Sequence, residues 1–199
     1  MLIKKQNDDN IILNRGDDMD RRILLSKMML QEALIKILEQ KKLSEISVLE
    51  LCEKANVNRT TFYKYYRDIS DLLDEIKAEF VVELANILKM YNMKEDNDKA
   101  ITKIMLLLKE KGKYAKVLLG KNVNQAFLDD LYPYFIKKSS LNKDSKKNKA
   151  VIDGYFIMLY YGSIGLIRNW LNNDFNLSIE EITEIIKNIS TYYYELGDE

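Results

Sequence analysis

The sequence predicts an all-α protein, and three observations carry that prediction. Seven glycines and one proline in 199 residues are too few for the frequent turns of a sheet-rich fold. Apolar residues recur at helical spacing through most of the chain, and no clear run alternates apolar and polar in the manner of a strand. Helix-start signals precede two of the periodic runs, Ser47 with Glu50 and Ser178 with Glu181. The length suits one large or two small domains, and the pattern of runs and breaks gives about nine helices.

Residues 1–19 mix charges with Asn and Gly16 and show little periodicity. They read as a flexible leader, or as sequence upstream of the natural start if Met19 is the initiator. The first helix starts near Asp20 and carries Ile23, Met28, Leu30, Ala33, Leu34, Ile37 and Leu38 at helical spacing as far as the polar run Glu39–Lys42. Ser47 opens a short helix, about Val48 to Lys54, through a capping box with Glu50. Ala55-Asn56-Val57 makes a tight turn in which Asn56 is the residue that tolerates a left-handed conformation. Asn58 caps a second short helix ending about Tyr65.

Asp68 or Ser70 starts a long helix to about Tyr91, and the polar run Met93–Lys99 separates it from a helix over about 100–111. Gly112 and Gly120 punctuate further helices, one over about 123–138 containing Pro133. A connector rich in Lys, Ser and Asn, Lys137–Lys149, leads to closing helices over about 150–172 and 178–195. The expected organisation is therefore a leader (1–19), a small head (20–67) and a larger helical body (68–199).

Composition removes several classes of chemistry. The chain has one cysteine, Cys52, and no histidine, so it lacks an internal disulfide, Ser-His-Asp or Cys-His nucleophiles and the usual zinc ligand sets. No phosphate-binding glycine loop, cofactor motif or alternating acidic metal loop is visible. The reading is a protein that is not an enzyme, with no metal and no cofactor, and with Cys52 as a small core residue. Residues 1–19 lack the apolar core of a signal peptide. The apolar stretch Gly154–Ile167, between Asp153 and Arg168, is shorter than the ~20 residues a membrane span takes, so a cytoplasmic protein without membrane contact is expected.

Charge is balanced overall but unevenly placed. Residues 20–67 hold ten Lys/Arg against six Asp/Glu, whereas residues 68–199 hold eighteen against twenty-one. A basic head on a mildly acidic body suits a DNA reader. Two short helices joined by a tight turn, behind a longer helix, describe a helix-turn-helix. Leu49, Leu51, Cys52 and Ala55 are expected to face Val57, Phe62 and Tyr66. That leaves Arg59, Thr60, Thr61, Tyr63, Lys64 and Tyr65 outside, a set whose donors and rings suit base edges and phosphates. The competing reading of the same residues is a solvated face on a small helical hairpin.

The stretch Ile46–Tyr66, and above all Val57-Asn58-Arg59-Thr60-Thr61-Phe62-Tyr63-Lys64-Tyr65-Tyr66, closely resembles the N-terminal signature of the TetR family of bacterial regulators. The likeness extends back to Asp20 and forward to Leu73. It implies a three-helix DNA-binding head with a helix-turn-helix, and an all-helical C-terminal body that dimerises. Carried over residue by residue, Ser47 touches phosphate, and Asn58 starts the reading helix. Arg59, Thr60 and Thr61 enter the groove, Tyr63 and Lys64 hold phosphates or bases, and Tyr65 reaches either. Two positions depart from the family pattern: Asn56 stands where glycine is usual in the turn, and Ile69 where a lysine usually opens the fourth helix. Arg67 is the substitute cation.

Farther on, Tyr161–Leu171 weakly resembles a C-terminal subgroup that includes regulators of dihydroxyacetone kinase operons. Gly162, Ser163 and Gly165 let another backbone approach, and the last helix offers Ile179, Ile182, Ile185, Ile186, Ile189, Tyr192 and Tyr193. Together they suggest a four-helix interface across a two-fold axis, with Gly162, Gly165, Ile182, Ile186 and Ile189 at the contact; the alternative is that both helices close the monomer core. Tyr114, Phe127, Tyr155, Met158 and Trp170 are the candidate ligand contacts, from a wider set with Tyr132, Tyr134, Phe135, Phe156 and Tyr160, against the plainer reading as core. The expected function is a homodimeric repressor on a palindromic double-stranded operator, released by an effector that is a small molecule or a protein. The alternative is a helical interaction module or coactivator that acts through a protein partner without specific DNA binding.

Overall fold

The computed structural model describes the backbone of residues 2–91, 96–120, 125–138 and 149–198, and the side chains of 20–91, 96–120, 127–135 and 149–191. Among these residues nine α-helices and one 3₁₀ turn follow one another and no strand forms, as the scarcity of turn residues predicts. They are α1 (Leu2–Leu38), α2 (Val48–Ala55), α3 (Arg59–Tyr65), α4 (Ile69–Met90), α5 (Asn97–Glu110), α6 (Gly112–Leu119), α7 (Gln125–Lys138), α8 (Lys149–Asn172) and α9 (Ile179–Asp198). The chain divides into two compact units, Met1–Ile76 and Lys77–Glu199, so the division falls inside α4 and not at its start.

In the first unit, α1 packs on α2 and α2 on α3. The helical backbone begins at Leu2, far ahead of Asp20. A helix needs only local hydrogen bonds and tolerant residues, and Lys, Gln, Leu, Ile and Arg all serve; the apolar stripe sought in the sequence is not a requirement. Leu30, Ala33, Leu34, Ile37 and Leu38 are buried as expected, but Met28 is exposed. Likewise α2 buries Leu51, Cys52 and Ala55, while Leu49, expected to face α3, is 51% exposed. The cause is the same in both cases: at ~100° per residue, two positions put Met28 and Leu49 about 200° from Leu30 and Leu51.

In the second unit, α5 packs on α9, α6 and α7 pack on α8, and α8 packs on α9. The buried face of α8 is Ile152, Phe156, Tyr160, Ile164, Ile167, Trp170 and Leu171, at the three- and four-residue spacing of an inward stripe. By length and composition α8, at 24 residues, meets the measure for crossing a membrane. This corrects the reading of a segment too short to span, which counted only the residues between Asp153 and Arg168. A mostly buried core helix passes the same measure; α8 carries an inward stripe, with 28% of its apolar stretch buried. The start of α9 is capped in both directions: Glu181 N–H donates to Ser178 Oγ at 3.1 Å and Ser178 N–H to Glu181 Oε2 at 2.7 Å. Most of the connector 137–149, and Tyr192 and Tyr193 as side chains, lie outside the described residues.

Candidate nucleic-acid interface and effector cavity

Local chemistry sets the helix-turn-helix. Ser47, in extended conformation, accepts the Glu50 N–H on its Oγ at 3.1 Å. The Glu50 carboxylate takes Lys41 Nζ at 2.6 Å, so it serves α2 by an ion pair and not by the expected reach back to Ser47. Asn56 ends α2 in the left-handed region (φ 51°, ψ 43°), where an asparagine is among the few non-glycine residues at ease. Its presence in place of glycine is thereby accommodated. Asn58 Oδ1 accepts the Thr60 N–H at 2.8 Å and starts α3. Asn58→Ala should lower stability by about 1 kcal/mol, with Asn58→Asp close to wild type, in urea unfolding followed by helical circular dichroism.

The seven residues of α3 bury only Phe62. Arg59, Thr60, Tyr63 and Lys64 are exposed, Thr61 and Tyr65 half-buried, and Tyr66, which ends the helix, is core. Behind this outward face lies a polar clamp. Lys27 of α1 donates to both oxygens of Glu75 of α4 at 2.9 and 3.1 Å, and Tyr66 Oη donates to Glu75 Oε1 at 3.1 Å. Lys27 Nζ also stands 5.3 Å from the centre of the Tyr66 ring and 6.0 Å from that of Tyr65. Lys64 Nζ is 5.6 Å from the Tyr65 ring. The half-buried Tyr65 ring thus has two ammonium groups near it, one from α1 and one from α3. Lys27 and Glu75 have no local signal in the sequence, being 48 positions apart.

At the start of α4, Ile69, which stands where the family usually has lysine, is buried. The guanidinium of the exposed Arg67 lies 3.5 Å from Asp71. Asp71 accepts the Arg67 backbone N–H at 3.0 Å, and this bond with the guanidinium beside it keeps the Asp71 carboxyl below the usual carboxylate range. Burial pushes the Cys52 thiol up, with Arg59 opposing, which suits the expected role in the core.

The second unit holds a cavity of about 110 Å³ between α5, α7, α8 and α9. None of the five candidate ligand residues lines it. Trp170 is fully buried and donates Nε1 to the Leu177 carbonyl at 2.8 Å, Phe127 is core, Tyr114 and Tyr155 are half-buried elsewhere, and Met158 is 64% exposed. From the wider set Tyr132, Phe135, Phe156 and Tyr160 do line the cavity, whereas Tyr134 does not. Asn97, Ser163 and Ser190 were missed; two serines on otherwise apolar inward faces were the available signal.

The residues assigned to a dimer contact separate. Gly162 and Gly165 are exposed, with no atom within 4 Å of an added Cβ, and Ile189 is exposed. Ile182 and Ile186 turn inward and are buried, which corrects their assignment. The inward stripe of α9 centres on Thr183, Ile186 and Ser190, leaving Ile185 and Ile189 at its edge. On α8 the outer side carries Val151, Met158 and Tyr161 beside the glycines.

Residues 95–192 match the TetR_C_8 model, a transcriptional regulator C-terminal region. Over that region the chain is similar to regulators of the TetR family. It is 24% identical over 160 residues to the uncharacterized HTH-type transcriptional regulator YxbF of Bacillus subtilis (strain 168), a match that takes in 77% of this chain and 42% of that protein. The chain thus spans under half the length of this curated relative. The fold is shared with a TetR transcriptional regulator from Streptococcus agalactiae 2603V (TM-score 0.60, 21% identity, 92% of this chain and 99% of that one). It is shared as well with the dihydroxyacetone kinase operon activator DhaS (TM-score 0.59, 14% identity, 88% and 99%). The family match thus falls on the C-terminal region, residues 95–192, and the solved structures share the fold.

Proposed function

We propose that this TetR-like protein reads double-stranded DNA through α3, as a cytoplasmic homodimer on a palindromic operator, and represses until an effector binds its C-terminal unit. The observation that carries the reading is the face of α3: one buried residue, four exposed ones with hydrogen-bonding side chains, and a cap and left-handed turn that fix where it starts. Arg59 and Thr60 stand at the helix N-terminus, the end from which recognition helices touch base edges. Ser47 Oγ, at the start of α2, uses its acceptor for the cap and keeps its hydroxyl proton for a phosphate. The outer side of α8, with small and apolar residues, and the exposed Ile185 and Ile189 of α9 are the surface we assign to the two-fold contact.

The test is fluorescence anisotropy of the chain against labelled fragments of its own upstream intergenic DNA, at several salt concentrations. Saturable binding of two chains per site, persisting against unrelated competitor and falling steeply with salt, is the expected result. Equal, weak binding to both DNAs would count against it. Such a result would favour the second reading, an interaction module that works through a protein partner, for which a buried Ile69 in place of the usual lysine already speaks.

A further inference from the structure

From the cavity in the second unit we infer the chemical class of the effector: a small, uncharged, mostly apolar molecule of about five or six heavy atoms with one hydroxyl or carbonyl group. The inference rests on the proposal that an effector acts through this unit. Size comes first. An engineered apolar cavity of about 150 Å³ takes benzene, so about 110 Å³ suits a ligand of that size or slightly less.

Charge comes second. The walls are built mainly from Ile101, Ile104 and Met105 of α5 and Phe156, Ile164 and Ile167 of α8, and among the described residues no Lys, Arg, Asp or Glu lines them. An anion or a cation would be desolvated there without a partner, a penalty of several kcal/mol or more. Burial pushes the Tyr160 hydroxyl far up, so that group also stays neutral.

The polar groups come third. Tyr160 Oη is already spent on the Leu128 carbonyl at 2.6 Å. Ser190 Oγ donates to the Lys187 carbonyl at 2.8 Å and accepts from Asn97 Nδ2 at 2.6 Å. Outside these bonds stand the hydroxyls of Ser163 on α8 and Tyr132 on α7 and the amide oxygen of Asn97 on α5, all part of the lining. The Ser163 hydroxyl, beside the apolar Ile164 and Ile167 of the same helix, is the handle for a polar group on the ligand, as donor or as acceptor.

The experiment is isothermal titration calorimetry of the full chain with cyclopentanol, and with cyclopentylammonium, of the same size, as the charged control. Cyclopentanol should bind with a millimolar or tighter Kd and the ammonium ion should give no binding heat. Ser163→Ala should weaken cyclopentanol about fivefold, and Ser163→Leu, which fills the space, should abolish its binding. Circular dichroism checks that both variants keep their helix content. Absence of cyclopentanol binding at about tenfold above a millimolar, equal binding of the ammonium ion, or unchanged binding to Ser163→Leu would each overturn the assignment. Anisotropy of the DNA complex in the same titration separates the two proposals. Failure to bind DNA before any ligand is added sinks the DNA reading alone, and a DNA complex untouched by saturating cyclopentanol overturns its role as effector class.

Discussion

Arg59→Ala should bind the operator about ten- to a hundredfold more weakly while binding unrelated DNA almost as well as the wild type. Arg59 is the first residue of α3 and is exposed, so its side chain has little to do with folding. Its planar guanidinium matches the paired acceptors of guanine, a contact that discriminates by about 1–3 kcal/mol. Arg59→Lys should recover little, because an ammonium presents no fork. Lys64 sits at the other end of the helix, also exposed, and is the contrast. Lys64→Ala should weaken all DNAs about equally and reduce the slope of log affinity against log salt by ~1. The measurement is anisotropy with operator and scrambled duplexes at three salt concentrations. If Arg59→Ala lost affinity equally on both duplexes, the guanidinium would be a phosphate contact and specificity would lie with Thr60, Thr61 or Tyr63.

What could be read from sequence was what local chemistry decides. The caps at Ser47, Asn58 and Ser178 and the left-handed Asn56 all depend on a side chain and a backbone group within a few residues, so their positions were legible. Helix phase was less so. Met28 and Leu49 were placed inward because they are apolar, although both lie on the far side of their helices. Long-range contacts were not legible at all. The clamp of Lys27, Glu75 and Tyr66 joins three helices behind α3, and nothing near any one residue announces the others. In the second unit the aromatic residues singled out as ligand contacts lie elsewhere, and the cavity is walled by five isoleucines and four other aromatic residues, with two serines and an asparagine. Trp170 looked like a lining residue because it is large and lies on α8; its partners, Leu177 and Phe175, come from the turn that follows.

That turn gives the second large effect. Trp170→Ala should destabilise the protein by about 3–5 kcal/mol, a substantial part of a typical 5–15. The indole is fully buried, and its removal leaves a gap in the core together with a Leu177 carbonyl stripped of its 2.8 Å donor. The loss spreads to the connection between α8 and α9. Asp174 and Phe175 both take left-handed backbone, at φ 50° and 60°, a conformation costing about 1 kcal/mol or more for a bulky residue. Phe175 is held there by its N–H bond to the Trp170 carbonyl at 2.9 Å and by its ring against the indole at 4.9 Å. Without the indole, half of that support is gone and the strain remains. Trp170→Phe should fall between, near 1–3 kcal/mol, since it keeps most of the packing and loses only the hydrogen bond. Urea unfolding by circular dichroism measures both variants, and in the wild type the single tryptophan reports the same unit by fluorescence. A loss for Trp170→Ala of less than about 1 kcal/mol would mean that the neighbouring side chains collapse into the gap, and the turn would then owe its shape to the capping of α9 by Ser178 and not to the indole.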